Sequence, residues 1–370
     1  MTETVARQGV DAKPAGSIPL EVLDVLPDIR LPDSAGQIAR LSTEAAGRKL
    51  LLLLCADPRV AAVADSLRQL ADRGDDLWRH CAPYVVTLMP PEINSQAFQP
   101  PLPITLLADV KGQVFHGLGL DPSGQAGLSA VLTNENNRIL RIERDAGTPT
   151  FASDLLRYLE TLSVPAPRRL GHMAPVLYVP QVFEPAFCDA LIAFYEHEGG
   201  VASPGYAEDL GVPQFLYDGS KVRRDCRISD ERLIAEISRR VTRRVLPDIL
   251  KAFTRLVTGI EKFKIGCYEA SEGGRFKPHR DNKSKGTAHR RFAMSVNLNT
   301  GDYEGGFLRF PEYGPDLYRP ERGDAVVYSS SLLHEVTPVT AGRRFTLLAH
   351  MYDEESRALN PKYRTDPPPA

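Results

Sequence analysis

The segment FKPHRDN, residues Phe276 to Asn282, places a histidine and an aspartate one residue apart. Residues i and i+2 of a β-strand project from the same face, so His279 and Asp281 would converge on one point if this segment is extended. Such a pair can form a buried hydrogen bond, a catalytic dyad or two ligands of a metal ion. The choice among these depends on whether the chain supplies a third group.

His334, in the segment SLLHEVTPVTAGRRF, is a suitable third group. Two histidines and one carboxylate, two of them on one strand, match the facial triad that binds non-haem Fe(II). Three protein ligands on one side of an octahedral ion leave positions for other ligands, whereas a structural zinc site closes its shell with four. The pattern favours metal ligation by His279, Asp281 and His334 over a merely structural role for these residues.

Arg344 follows His334 by ten residues, at the start of the strand-like segment RFTLLAHMY. A guanidinium held deep in a barrel needs an anionic partner, and a carboxylate matches its fork in a bidentate manner. A cosubstrate with a metal-chelating 2-oxo acid at one end and a carboxylate at the other satisfies both sites, and 2-oxoglutarate has this structure. An ion pair with a protein carboxylate is the alternative for Arg344.

Three longer segments resemble a known family. YEASEGGRFKPHRDN, VNLNTGDYEGGFLRFPEYG and HEVTPVTAGRR together are similar to the prolyl-4-hydroxylase-like branch of the Fe(II)/2-oxoglutarate-dependent dioxygenases, over about residues 175–353. The resemblance implies a double-stranded β-helix, or jelly roll, with flanking helices. It also implies that His279, Asp281 and His334 bind iron, and that Arg344 binds the distal carboxylate of 2-oxoglutarate.

The same resemblance assigns four further positions. Tyr268 matches a tyrosine that commonly contacts the cosubstrate, with plain packing as the alternative role. Asn297 occupies a pocket-facing position where some relatives carry another tyrosine, and a cosubstrate contact is predicted for it as well. Gly305 and Gly306 match a double glycine that permits a tight turn and close backbone approach.

The reaction implied by the resemblance uses Fe(II), 2-oxoglutarate and O₂, with ascorbate as the expected reductant. It hydroxylates an unactivated C–H bond of a peptidyl or small-molecule substrate and releases succinate and CO₂. Because the carboxylate of Asp281 is present, we expect hydroxylation rather than halogenation, which needs a vacant coordination position. Two alternatives stay open: a non-catalytic sensor or partner-binding module that holds metal and 2-oxoglutarate, and a zinc hydrolase with the same three ligands.

The elements that position these residues follow from the sequence period. In EKFKIGCYEA and RFAMSVNLN an apolar face alternates with a small or polar face, which predicts strands that line a pocket. Helices precede them, beginning at Pro185 and in DERLIAEISRRVTRRV, where Leu233, Ile237, Val241 and Val245 form an apolar stripe and Pro247 ends or kinks the helix. A solvated face is predicted for four arginines on the second helix, Arg239, Arg240, Arg243 and Arg244. The loop that holds His289, Arg290 and Arg291 is placed near the substrate entrance.

The N-terminal half alternates strand-like and helix-like segments, which predicts an α/β architecture. The run Lys49 to Cys55 reads as a strand covered on both faces, and a helix follows with Gly74 as its stop. This half resembles a peroxiredoxin of the thioredoxin-like fold, but the segment ADPRVAAVA lacks the reactive cysteine. Burial is expected to suppress the thiolates of Cys55 and Cys81. The half is therefore predicted to be a scaffold or a docking surface for a protein partner or substrate.

Composition sets the remaining expectations for this chain of 370 residues. Its length favours two domains, placed at residues 19–162 and 173–370, with a disordered tail over 1–18 and a linker over 163–172. A net charge of −2 gives no indication of nucleic acid or a membrane surface as partner, and no apolar run is long enough to span a bilayer. Five scattered cysteines and the absence of a signal-peptide pattern favour a cytoplasmic location.

Overall fold

In a computed structural model the chain divides into two units, Met1–Pro167 and Arg168–Ala370. The structure describes residues 19–45, 47–98, 102–121, 127–144, 150–162, 171, 173–203, 205–209, 212–216 and 219–360. The predicted tail, residues 1–18, and the predicted linker, apart from residue 171, lie outside the described residues. Among the described residues, no helix combines the length and apolar character needed to cross a membrane.

The N-terminal unit alternates strands and helices as predicted. Its elements are β1 (Arg30–Pro32), β2 (Ile38–Arg40), α1 (Leu41–Glu44), β3 (Lys49–Cys55), α2 (Ala61–Ala71), α3 (Gly74–His80), β4 (Cys81–Thr87), α4 (Pro91–Asn94), β5 (Thr105–Ala108), α5 (Gln113–Gly117), β6 (Ser129–Thr133), β7 (Ile139–Glu143) and α6 (Phe151–Thr161). Five strands form a mixed sheet in the order β5-β4-β3-β6-β7. In this sheet β3, β4 and β5 are parallel, whereas β6 and β7 form the predicted hairpin and run antiparallel.

The central strand β3 contributes to two cores because both of its faces are covered. Leu51 and Leu53 pack with the apolar faces of α2 and α6. Leu50, Leu52 and Leu54 project to the opposite side, where they pack with α1 and α5. This two-sided burial explains why the strand is an uninterrupted apolar run rather than an alternating one. The predicted strand is confirmed.

The C-terminal unit is mostly sheet. Its elements are β8 (Leu177–Val179), α7 (Pro185–Glu198), β9 (Val201–Ala202), β10 (Gly205–Asp209), β11 (Val212–Leu216), β12 (Lys221–Val222), β13 (Arg224–Arg227), α8 (Glu231–Arg244), α9 (Leu246–Phe253), β14 (Gly259–Ile260), β15 (Lys264–Glu269), β16 (Arg275–His279), β17 (Phe292–Asn297), β18 (Tyr303–Gly305), β19 (Leu308–Arg309), β20 (Leu317–Tyr318), β21 (Ala325–Ser329), β22 (His334–Val336), β23 (Val339–Tyr352) and α10 (Glu354–Arg357).

Two antiparallel sheets account for most of these strands. The larger has the order β8-β21-β17-β23-β15-β13-β9, with β14 and β18 also paired to β23, and the smaller has the order β12-β16-β22-β19-β20. Phe292, Met294 and Val296 of β17 enter a core with α7, α8 and α9. The intervening Ala293 and Ser295 face a cavity that residues of the smaller sheet also line. The prediction of helices outside a pocket-lining sheet is confirmed.

Two local predictions are wrong. Helix α2 ends at Ala71, and Gly74 begins α3 instead of stopping a helix. A glycine stops a helix by adopting a positive φ, and Gly74 is not among the glycines that do so.

The predicted solvated face of α8 includes a buried residue. Arg244 is 0% exposed, its Nη2 lies 2.7 Å from Glu184 Oε1, and its Nη1 donates to the carbonyl of Val182 over 2.9 Å. The reason is helical spacing: Ile237, Val241 and Arg244 stand at i, i+4 and i+7 and share one face.

The cysteines of the N-terminal unit have no nucleophilic character. Cys55 ends β3 and Cys81 begins β4, and both are buried. Burial raises the pKa of each thiol to about 12. A nucleophilic cysteine must be a thiolate at the working pH, so neither residue substitutes for the missing reactive cysteine.

We therefore predict that neither Cys55 nor Cys81 of the native protein reacts rapidly with a thiol-specific alkylating reagent at pH 8. With a pKa near 12, roughly one thiol in ten thousand is ionised at that pH. Mass spectrometry should find both cysteines unmodified in the native chain and alkylated after denaturation in urea. A Ser153→Cys variant, which places a thiol on an exposed position of α6, is the positive control. Rapid native modification of Cys55 or Cys81 would contradict the prediction.

Candidate active site

Two neighbouring strands of the smaller sheet bring the three predicted ligands together. In the antiparallel pair formed by β16 and β22, His279 stands directly opposite His334. Asp281 follows β16, and its backbone N–H donates to the carbonyl of Ser330 over 2.9 Å. One potential ligand atom from each of the three residues lies within 4.8 Å of the others. The carboxylate is central, with Oδ1 3.6 Å from His279 Nε2 and Oδ2 3.5 Å from His334 Nε2.

Both imidazoles are oriented in the same way by the backbone. His279 Nδ1 lies 2.9 Å from the carbonyl oxygen of Lys277, and His334 Nδ1 lies 2.9 Å from that of Leu332. A carbonyl oxygen only accepts, so Nδ1–H must be the donor in each contact. The lone pair is thereby assigned to Nε2, which faces Asp281. A neutral imidazole with an available Nε2 is the form that ligates a metal.

The electrostatics of the site favour the same protonation states. Burial lowers the pKa of His334 to about 4, which keeps this imidazole neutral near pH 7. Burial alone would raise the pKa of Asp281, but the neighbouring imidazoles of His334, His350 and His279 hold it well below its usual value. A neutral histidine beside an ionised carboxylate is the state that metal binding requires.

A fourth histidine was not predicted from the sequence. His350 lies on β23, and its Nε2 is 3.4 Å from Asp281 Oδ2, while its Nδ1 is 3.7 Å from Glu261 Oε2. His350 is not one of the three clustered ligands, and its imidazole instead contacts the Asp281 carboxylate. The signal was available: Arg344 and His350 are an even number of residues apart on one strand and therefore share a face.

Glu261 connects this histidine to the loop after Asp281. Its carboxylate accepts from Arg290 Nε over 2.7 Å and from Arg290 Nη2 over 2.8 Å, and it lies 3.0 Å from His289 Nε2. Arg290 lines the cavity, in agreement with its predicted place near the entrance. His289 is buried behind it and does not line the cavity, because its ring packs toward Glu261 and Tyr352.

Arg344 is a buried cation that no carboxylate of the described residues neutralises. The residue is 3% exposed, and its Nη2 donates to Asn297 Oδ1 over 2.8 Å. Its Nε has no hydrogen-bond partner, and no carboxylate of the described residues forms an ion pair with it. The alternative of a protein salt bridge is therefore not found there. A buried, unpaired guanidinium in a cavity wall is a binding position for an anionic ligand.

Asn297 and Tyr268 surround this guanidinium in different ways. The Asn297 amide donates to Thr300 Oγ1, Tyr303 Oη and the carbonyl of Pro320, and the residue does not line the cavity. Asn297 orients Arg344 by accepting its hydrogen bond. This position outside the cavity lining differs from the predicted pocket-facing position. Tyr268 does line the cavity, and its ring centroid is 5.4 Å from the Arg344 guanidinium carbon.

The double glycine makes space for the arginine. Gly305 and Gly306 have φ of +73° and +62°, in the left-handed region that favours glycine. A Cβ on Gly306 would lie 3.0 Å from Arg344 Cδ and 2.8 Å from a methyl group of Val339. The predicted tight turn is present, and its second glycine allows the arginine side chain to pass.

The three candidate ligands, Tyr268 and Arg344 line one cavity of about 780 Å³. This volume is within the range of small-molecule sites. The cavity brings a metal-ligating group and an unpaired guanidinium into one space.

Comparison with known proteins identifies the class of this domain. Residues 263–352 match the family model of the 2OG-Fe(II) oxygenase superfamily, where 2OG denotes 2-oxoglutarate. The C-terminal part of the chain therefore contains a 2OG-Fe(II) oxygenase domain. The matched range includes the three candidate ligands and Arg344.

The similar curated proteins are PKHD-type hydroxylases. One from Pseudomonas putida is 39% identical over 89 residues, which cover 22% of this chain and 38% of that protein. Another, from Cupriavidus pinatubonensis, is 27% identical over 201 residues, which cover 50% of this chain and 83% of that protein. The chain thus spans less than half the length of the first of these relatives.

Two solved structures are similar at low identity. A prolyl-4-hydroxylase from Pseudomonas putida has a TM-score of 0.36 at 18% identity, covering 50% of this chain and 94% of its own. The peroxidoxin BcpB from Mycobacterium tuberculosis has a TM-score of 0.36 at 16% identity, covering 39% of this chain and 99% of its own.

The residues present fit the metal that this superfamily uses. Two imidazole nitrogens and one carboxylate are the donor set of a non-haem Fe(II) site with open positions. The available Nε2 atoms of His279 and His334 and the ionised Asp281 supply that set.

Replacement of His350 is predicted to weaken metal binding. His350→Leu removes the imidazole that contacts Asp281 Oδ2, so the carboxylate loses part of its orientation. Loss of such an outer partner typically costs about 10–100-fold in metal affinity. Titration with Co(II), followed by visible absorption, measures the affinity without turnover. His350→Gln, which retains a polar end, should lose less, whereas equal affinities of wild type and His350→Leu would contradict this role.

Proposed function

We propose that the C-terminal unit is a 2-oxoglutarate- and Fe(II)-dependent oxygenase that hydroxylates an unactivated C–H bond of a peptidyl or small-molecule substrate, releasing succinate and CO₂. The observation that carries the proposal is the shared cavity. It joins three convergent ligand atoms to a buried guanidinium for which the described part of the chain supplies no counter-ion. A zinc hydrolase would have no use for that guanidinium, and the complete ligand set argues against a module that has lost its chemistry.

Each site residue has a defined task in this proposal. His279, Asp281 and His334 would hold the iron through Nε2, a carboxylate oxygen and Nε2. Bound iron together with 2-oxoglutarate and O₂ supplies the oxidising chemistry, and the protein supplies binding, orientation and a dry site. Arg344 would bind the distal carboxylate in a bidentate manner, with Tyr268 beside it and Asn297 fixing its direction.

Aromatic rings shield the imidazoles from water. The Phe276 ring stacks on His279 with centroids 3.4 Å apart, and the Tyr328 ring centroid is 4.7 Å from that of His334. These contacts restrict the rotation of both imidazoles, and the exposed fraction is 20% for the His279 side chain and 4% for that of His334. Lower exposure to water strengthens the charge interactions within the site.

The N-terminal unit takes no part in the chemistry under this proposal. Its two cysteines are buried protonated thiols, so we assign it a scaffold or docking role for a substrate or protein partner. The relatives are named as PKHD-type hydroxylases, and a solved neighbour as a prolyl-4-hydroxylase. Peptidyl and small-molecule substrates are accordingly the first to be screened, with a cytoplasmic location expected from the reduced thiols.

The first functional prediction concerns the metal ligands. Wild-type protein with Fe(II), 2-oxoglutarate, O₂ and ascorbate should convert 2-oxoglutarate to succinate, and His279→Ala should reduce this to the metal-free level because a ligand is lost. Succinate is measured by chromatography, with candidate substrates present. His197→Ala, which changes an exposed histidine of α7, should keep full activity. Equal succinate release from wild type and His279→Ala would reject the oxygenase in favour of a sensor.

The second functional prediction concerns Arg344. Arg344→Met removes the proposed partner of the distal carboxylate, so the KM for 2-oxoglutarate should rise roughly 10–100-fold, as expected for loss of a charge-assisted bond. Steady-state kinetics with varied 2-oxoglutarate measures this change. Arg343→Met is a matched control, because Arg343 points away from the cavity and pairs with Glu196 at 2.7 Å. An unchanged KM in Arg344→Met would exclude the assigned role.

A further inference from the structure

A second group of cations lies in the cavity wall, apart from Arg344. We define the basic cluster as Lys221, Arg223 and Lys264, which surround the carboxylate of Asp225. Arg223 pairs with it through Nε at 2.5 Å and Nη2 at 2.8 Å, whereas Lys264 Nζ is 3.7 Å and Lys221 Nζ 3.9 Å away. All four residues line the cavity. One carboxylate is thus shared by three basic side chains.

The fold builds this cluster from three strands. Lys221 lies on β12, Arg223 lies between β12 and β13, and Lys264 begins β15. Gly266 makes space for the arginine, since a Cβ there would lie 2.9 Å from Arg223 Cδ. The exposed fractions of the Lys221 and Arg223 side chains are only 8% and 5%, and that of Lys264 is 27%. Two members of the cluster are therefore buried, and the third is partly exposed.

Of the described residues that line the cavity, more are basic than acidic. Among the described residues, the acidic ones that line it are Asp225 and the candidate ligand Asp281. Arg227, Lys277 and Lys283 add further positive charge to the lining. The lining residues Arg280 and Arg290 face Glu312 and Glu261, so they do not require Asp225.

The surroundings of Lys221 and Lys264 lower the pKa values of both amines. Burial and the adjacent charge of Arg223 lower the pKa of Lys221 to about 6, and the same two causes lower the pKa of Lys264. Both effects disfavour the positively charged form of the amine. An anion bound beside the two lysines would favour that form.

The proposed cosubstrate does not supply this anion. One end of 2-oxoglutarate would chelate the metal and the other would bind Arg344, so both carboxylates already have partners. The Tyr268 ring is close to both cationic positions, with its centroid 5.5 Å from the Arg223 guanidinium carbon and 5.4 Å from that of Arg344. An anion at the basic cluster would therefore come from a different molecule.

We propose that the basic cluster is a substrate-anion site, which binds a carboxylate or phosphate group of the molecule that is hydroxylated. The proposal rests on the proposed oxygenase function and narrows its substrate class to anionic peptides or small molecules. The Nζ groups of Lys221 and Lys264 supply donors to the anion, which favours their charged form, and Arg223 remains paired with Asp225.

The test is a calorimetric titration of the full, metal-free chain at low ionic strength. The probes are inorganic phosphate and, in a separate arm, N-acetyl-L-glutamate, which distinguish phosphate from carboxylate as the preferred group. Wild type should bind at least one probe saturably, and the Lys221→Met/Lys264→Met double variant should bind it about tenfold more weakly or worse. Lys262→Met, an exposed lysine next to β15, is the matched control and should bind as wild type does.

Further variants keep the result decisive. Lys221→Arg preserves the charge and should retain binding even if the double variant proves unstable in thermal unfolding. Arg344→Met should also retain probe binding, because the cosubstrate position is separate. Absence of saturable binding to wild type, or loss of binding in Arg344→Met but not in the double variant, would overturn the proposal. Because the titration needs neither iron nor 2-oxoglutarate, its outcome is independent of the succinate assay.

Discussion

The antiparallel pairing of β16 with β22 is the constraint on which the site depends. It sets His279 opposite His334, and the turn after β16 then delivers Asp281 between their Nε2 atoms. Side chains alternate along a strand, so a slip of one residue in this register would turn one imidazole to the other face. The backbone carbonyls that accept from the two Nδ1–H groups belong to the same two segments. The strand pairing therefore fixes the position and the tautomer of the ligands together.

The two faces of the larger sheet have different roles: one packs in the core and the other lines the cavity. Phe345, Leu347 and Ala349 of β23 enter the helical core, while Arg344 and His350 on the same strand face the cavity. This strand is paired with β14, β15, β17 and β18 along its length. Such extensive pairing gives a rigid base for a long arginine side chain and for the histidine that supports Asp281. Precise placement of charge is what a preorganised site requires.

Local sequence patterns were sufficient for much of this structure. The spacing of His279 and Asp281 indicated convergence, and the uninterrupted leucine run indicated the two-sided strand β3. The packing of helices on a sheet with alternating apolar and polar residues was also predicted, from the change in hydrophobic period between the two kinds of segment. These features depend on neighbours within a few residues, so the sequence contains their signal. The superfamily match and the observed cluster of ligand atoms agree with that first interpretation of the site.

Features that depend on distant neighbours were not predictable in the same way. His350 meets Glu261 and Asp281 only through the assembled sheets, and the basic cluster joins residues of three strands. The prediction that Arg244 is solvated was wrong. Its i+7 spacing from Ile237 places it on the buried face of α8. Asn297 was expected to face the ligand, whereas its saturated amide holds Arg344 in place.

The burial of every thiol affects how this protein meets oxidative stress. Under the proposed function, iron that turns over without its substrate would release reactive oxygen close to the protein, and accessible thiolates are a usual target of such oxidants. All five cysteines of this chain are enclosed in its cores. Two copies therefore have no accessible sulfhydryl through which to become cross-linked, and damage from futile cycles is directed to other side chains.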